Sequence, residues 1–165
     1  MQITNDQQKD TLKQLVTFTI SEETYGLEIL KVQEIVRLPQ VTKLPKAPAF
    51  VKGVIDLRGS VIPILDLREK FGIDTIAYSE KTRVIILETS GKKIGIIVDT
   101  VSKVIQVEEK DIAPPPNAIT GDDNQFISGV IRLEDKLIIL LDIGNMFSEE
   151  TISQLHEIDA ELAGV

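Results

Sequence analysis

The stretch GVIDLRGSVIPILDLREKFG, residues Gly53 to Gly72, decides the fold. Two apolar runs, Val54–Leu57 and Val61–Leu67, flank the break Arg58-Gly59-Ser60. Runs rich in Val, Ile and Leu around a glycine-bearing break read as two strands of a hairpin. Pro63 has no N–H to give to a ladder, so the second strand is expected at a sheet edge or with a bulge there. Asp66-Leu-Arg-Glu69 has the spacing of a capped helix start, which predicts a short helical turn ending near Gly72.

The chain nearly repeats this stretch. Phe126–Ser148 aligns with it at an offset of 76, matching Phe50/Phe126, Gly53/Gly129, Val54/Val130, Leu57/Leu133, Leu65/Leu141 and Asp66/Asp142. A weaker echo aligns Leu15–Val36 with Val84–Ile105 at an offset of 69, placing Gly26 against Gly95. A proline-bearing connector follows each copy, Leu44–Pro48 and Ala113–Pro116. The chain therefore reads as a doubled unit, each half running strand, turn, strand, connector, hairpin. The halves span about 15–72 and 84–147, with an exchange of strands between them left open. Each half of roughly 65–75 residues would bury a thin core alone, so the halves are expected to share apolar surface.

The remaining elements follow from pattern. Residues 1–14 have no apolar period and read as a flexible tail. Leu15–Ile20 with Tyr25–Ile29, and Arg83–Glu88 with Lys93–Val98, read as strand pairs, and Gly129–Leu133 with Lys136–Leu141 as the last hairpin. Glu28–Arg37 and Asp99–Val107 fit a strand and a short helix equally well. Ser148 has the look of an N-cap, and Ile152, Leu155 and Leu162 give residues 149–162 an apolar stripe, an amphipathic helix within an acidic segment 148–165. Many short strands with regular turns indicate small barrels, an all-β class.

Composition narrows the function. With 26 acidic against 18 basic residues the net charge is −8, and no basic run is present, which disfavours phosphate-backbone binding. Small barrels that bind oligonucleotides stack bases on aromatics in a positive groove, whereas this chain has no Trp, two Tyr and five Phe. No apolar run approaches the ~20 residues of a membrane helix. The start Met1–Asn5 has no signal-peptide character, and the absence of cysteine fits a cytosolic protein.

Catalysis finds little to work with. His156 is the single histidine and reads as a solvated residue of the C-terminal helix. No P-loop, dinucleotide fingerprint or histidine-based metal spacing occurs, so no cofactor and no metal are expected. Asp66 and Asp142 are a symmetric carboxylate pair, but capping the turns that follow accounts for both. No enzyme is expected.

Differences between the two copies point elsewhere. Arg58 stands where the second copy has Glu134, so the turn itself does not require arginine. Arginine is suited to holding a carboxylate in two-point fashion, and Glu34 is its candidate partner; the other reading is an ordinary solvent-facing turn residue. Val32, Val98, Val101 and Val104 lie in or beside the two ambiguous segments and either line an apolar groove suited to an amphipathic helix or belong to the core.

The string from Phe50 to Arg68, with Tyr25–Ile35 and Val41–Phe50, resembles the signature of the CheW-like chemotaxis coupling family. The likeness runs from about Leu15 to the C-terminal helix and departs at Ile55-Asp56, where an Asn-bearing form is usual. It implies two SH3-like five-stranded β-barrels packed on a shared core, with a C-terminal amphipathic helix and no catalysis. It implies a scaffold, a monomer in isolation, joining the cytoplasmic tip of a chemoreceptor to the regulatory domain of the histidine kinase CheA in membrane-associated arrays. Val32, Glu34, Arg58, Val98, Val101 and Val104 would contact the receptor, and Gly53, Val54 and Ile55 with the hairpin turns would contact the kinase. A CheV-like adaptor is the neighbouring possibility; a chain ending at Val165 has no receiver domain, which argues against it.

Overall fold

In a computed structural model of the chain, residues 12–74, 76–89, 91–115 and 126–146 are described, Asn145 and Met146 through their backbone only. The expected C-terminal helix, its Ser148 cap, His156 and most of the expected tail lie outside the described residues. The strands are β1 (Leu12–Ile20), β2 (Glu23–Glu28), β3 (Val32–Arg37), β4 (Val51–Leu57), β5 (Ser60–Asp66) and β6 (Arg83–Thr89). They continue as β7 (Lys92–Val98), β8 (Thr100–Glu108), β9 (Ile112–Ala113), β10 (Ile127–Leu133) and β11 (Lys136–Leu141). Two short helices, α1 (Leu67–Phe71) and α2 (Ile143–Met146), follow the two long hairpins. The chain is mostly β.

The described chain forms two compact units. One takes in the chain up to Leu30 and Val101–Met146, and the other holds Lys31–Thr100. Each unit thus draws on both copies of the sequence repeat. The first carries a six-stranded sheet in the order β8-β1-β2-β11-β10-β9, and the second a five-stranded sheet in the order β3-β6-β7-β5-β4. Neither sheet's strand order closes into a barrel among the described residues.

The two sheets repeat each other register for register. β5 runs parallel to β7 with Ile64 opposite Gly95, and β11 runs parallel to β2 with Leu140 opposite Gly26. The Asp66 amide donates to the Phe50 carbonyl at 2.9 Å, and the Asp142 amide to that of Phe126 at 2.7 Å. Both hairpins carry a bulge at the same glycine, between Val51 and Gly53 and between Ile127 and Gly129. The repeat also accounts for the route of the chain. β3 follows β1 and β2 yet pairs with β6, while β8 follows β6 and β7 yet pairs with β1.

The segments that periodicity left open are now resolved. Ile29–Lys31 is a single 3-10 turn, and β3 alternates half-buried Val32, Glu34 and Val36 with exposed Gln33, Ile35 and Arg37. That period of two is the mark of a strand with one face covered. β8 is a nine-residue strand over the second ambiguous segment. β1 begins at Leu12, inside the segment expected to be a tail, and the Lys13 ammonium meets the Glu28 carboxylate at 3.0 Å across the β1–β2 pair.

Pro63 corrects an expectation. β5 is an interior strand, between β7 and β4, not an edge. Pro63 lies opposite Val54, and Val54 exchanges both of its backbone hydrogen bonds with Thr42, each at 2.9 Å. Pairing with β7 begins only at Ile64. The missing N–H therefore falls where the ladder needs none.

Each unit has its own apolar cluster. In the second unit Ile55, Ile62, Ile64, Val84, Ile86 and Ile97 are buried, with Val36 and Leu57 packed on them. In the first, Leu15, Val107, Ile131, Ile138 and Leu140 form the counterpart, with Ile105 and Ile112 packed on it. Val36 and Ile105 are equivalent at the offset of 69, so the repeat extends from backbone to packing.

Candidate protein-docking site

The turn between β4 and β5 is a two-residue loop with Leu57 opposite Ser60. Arg58 and Gly59 both have positive φ, 51° and 87°, as the type I′ turn of a tight hairpin requires. Glycine reaches this region freely, and arginine does so only at a cost. The Gly59 amide donates to Asp56 Oδ1 at 2.9 Å, which holds the loop from inside. The turn is thereby a rigid platform for the Arg58 side chain.

The Arg58 guanidinium forms an ion pair and hydrogen bond with the Glu34 carboxylate of β3. That hydrogen bond and the carboxylate charge hold the Arg58 pKa above its ordinary value. The Arg58 side chain is 69% exposed and that of Glu34 31%. An exposed pair contributes little to stability because water and salt screen it. Its effect is on geometry: it fixes where the guanidinium of the turn stands relative to β3.

The expected receptor residues divide between the two units. Val32, Glu34 and Arg58 are on the second unit, with Val32 and Glu34 half-buried on β3. Val101 and Val104 are on β8 in the first unit, Val101 half-buried and Val104 50% exposed. Val98 differs from a groove-lining residue. It is fully buried at the end of β7, opposite Arg83, so it supports a surface without presenting one.

The expected kinase residues are interior as well. Gly53, Val54 and Ile55 are all buried in β4. Gly53 has φ +148°, and a Cβ built there would stand 2.1 Å from the Thr42 carbonyl oxygen, so the residue serves close backbone approach. Val54 pairs with Thr42 on one side and Pro63 on the other, and Ile55 enters the apolar cluster. Any contact by this strand must pass through the turns and edges that these residues hold in place.

Asp66 and Arg68 carry more than a cap. Asp66 Oδ1 accepts from the Arg68 amide at 3.0 Å, as an N-cap does, while its Oδ2 accepts from the Tyr78 hydroxyl at 2.9 Å. Burial, and then the bond to Asp66, raise the Tyr78 hydroxyl pKa far above its ordinary value. The Arg68 guanidinium is buried and reaches the Asp99 carboxylate and, at 3.1 Å, the Asp74 carbonyl. Reading Asp66 as a cap alone missed this network. The available signal was the second copy, where Gly144 occupies the position of Arg68. Among the described residues no cluster of His, Asp and Glu is disposed to hold a metal, and no helix is long and apolar enough to cross a membrane.

With the geometry in place, likeness to known proteins can be set beside it. Residues 14–151 match the CheW-like domain. The chain is 38% identical to the chemotaxis protein CheW of Treponema pallidum over 86% of each chain. It is 37% identical to CheW of Klebsiella aerogenes over 88% of each. Among solved structures it resembles the scaffolding protein TtCheW of Thermoanaerobacter tengcongensis, with a TM-score of 0.77, 41% identity, and coverage of 84% of this chain and 90% of that one.

Proposed function

Because this chain belongs to the CheW-like domain family, we propose that it is a non-catalytic chemotaxis scaffold that couples chemoreceptors to the histidine kinase CheA. The observation that carries this reading to particular residues is the Glu34–Arg58 pair, an exposed ion pair built on a rigid turn where the fold accepts glutamate in the other copy. Val32, Glu34, Arg58, Val101 and Val104 meet the cytoplasmic tip of the receptor, with Val98 supporting β7 from inside. An amphipathic helical hairpin suits residues of this kind, since partly exposed valines take its apolar stripe and a charged pair sets register. The regulatory domain of CheA docks through the hairpin turns, which Gly53, Val54 and Ile55 hold from within.

The finer architecture belongs to the same reading. The repeated strand orders β8-β1-β2-β11-β10 and β3-β6-β7-β5-β4 support two SH3-like five-stranded barrels. The protein acts in the cytoplasm, recruited to receptor arrays, and is a monomer when alone. Such contacts are individually modest and add through multivalency in an array.

The test is binding of the full chain to a receptor cytoplasmic fragment and to the CheA regulatory domain, separately and together. Binding to both with a ternary complex supports the reading, and binding to neither overturns it. In the same assay Arg58→Glu is expected to weaken receptor binding in a folded protein. Unchanged receptor affinity in that variant removes Arg58 from the interface.

A further inference from the structure

The Arg68 side chain is 4% exposed, and the residue as a whole, backbone amide and guanidinium together, is held by three different segments of one unit. Its amide caps against Asp66 at the end of β5, one of its nitrogens donates to Asp74 in the connector after α1, and another to Asp99 at the corner after β7. Tyr78 closes the arrangement by donating to Asp66, and Thr82 pins the connector beyond it by accepting from the Ser79 amide at 2.8 Å. A buried ion pair is weak evidence for stability, since removing two charges from water offsets most of their attraction. The sequence repeat makes the same point from inside the molecule. The positions equivalent to Arg68 and Asp99 are Gly144 and Leu30, and Leu30 is 92% exposed. The first unit forms its parallel pair and its Asp142 backbone bond to Phe126 with neither charge. The fold therefore does not need this clamp.

Asp99 is the residue between β7 and β8, immediately before the strand that carries Val101 and Val104. We infer that Arg68 is a positioning residue for partner binding: by holding Asp99 it fixes the local backbone from which β8, the strand that carries Val101 and Val104, starts. This deepens the receptor-binding reading and rests on it. The partner it serves is the same amphipathic helical hairpin.

The test uses the full chain with a double substitution, Arg68→Met with Asp99→Leu, which replaces the buried pair by apolar groups of similar volume. Such a replacement is expected to leave the thermal midpoint near that of the parent. If Arg68 positions the corner, affinity for the receptor fragment falls about tenfold despite retained stability. Amide exchange over residues 99–104 speeds up, and kinase binding is unchanged. Affinity and exchange at parental values would leave the pair without a positioning role and overturn the inference. Should the double variant fail to fold, Asp99→Asn, which keeps the shape of the corner, is read by the same two measurements. If the parent chain itself binds no receptor fragment, the functional reading fails, and the exchange measurement alone decides whether Arg68 holds the corner.

Discussion

The two long hairpins are near copies and yet differ at their tips and bases. The β4–β5 turn has Arg58-Gly59 with positive φ at both residues, whereas in the β10–β11 turn Glu134, φ 55°, is followed by Asp135 with no positive φ. At the base, Asp66 is followed by Leu-Arg68 in one copy and Asp142 by Ile-Gly144 in the other. Flanking the tips, Leu57 packs on its cluster, while Leu133 and Leu137 stay 36% and 55% exposed. What both copies keep is what the sheet needs: the bulge glycine, the strand apolar face and the aspartate bonded to the preceding phenylalanine carbonyl. What one copy alone has, a paired exposed arginine and a clamped buried one, is free to serve recognition.

The comparison can be broken most forcefully at the bulge glycines. Gly53→Ala sets a Cβ 2.1 Å from a backbone oxygen at positive φ and is expected to cost about 4 kcal/mol or more. At Gly129 the nearest atom is the Ile112 Cγ2, 2.5 Å away, a side chain that can shift, so Gly129→Ala is expected to cost about 1–3 kcal/mol. Urea unfolding of the pair reads the difference, and equal losses would refute it. Next in size is Arg68→Ala, which removes the buried guanidinium from the Asp99 carboxylate. A buried pair broken on one side costs about 3–5 kcal/mol, and with the Asp99 side chain 26% exposed the lower end applies.

A subtler contrast lies at the parallel pairs. A Cβ on Gly95 would meet Ile64, Val84 and Ile86 at 2.6, 2.7 and 3.2 Å, while on Gly26 it would meet Ile138 at 3.4 Å. Gly95→Ala should therefore destabilise by about 1–3 kcal/mol through overpacking, and Gly26→Ala should be tolerated. Thermal melts of both variants test this.

Alkaline titration probes the connector. The folded Tyr78 pKa lies above its unfolded value of about 10, so the neutral hydroxyl contributes stability below that pH. The contribution is lost as pH rises from about 10 toward the folded value, because the unfolded chain releases the proton first. A steeper loss of stability above pH 10 in the parent than in Tyr78→Phe would bear this out, and parallel curves would refute it. The smallest effect on stability is at Arg58. Its exposed pair with Glu34 is screened, so Arg58→Glu is expected to leave the melting midpoint unchanged while receptor binding weakens.

Much of this was legible in the chain itself where the controlling interactions are local. Hairpins, turn positions, the Asp66 cap and the doubling follow from side-chain alternation and from what glycine and aspartate do to neighbouring peptides. The Glu34–Arg58 pair was legible too, since arginine stood in only one of two equivalent turns. Val98, Gly53, Val54 and Ile55 were expected at interfaces and are buried, because an apolar residue has the same signature in a core as in a groove.

The sequence by itself determined the repeat, the strand alternation and the chemistry available at each turn, since these depend on residues a few positions apart. Tertiary structure alone decided that β5 lies inside its sheet, that β3 pairs with β6 and β8 with β1, and that Arg68 meets Asp99 across 31 positions. An apolar strand face specifies that it must be covered, and the partner that covers it is selected only when the whole chain competes for the same buried surface.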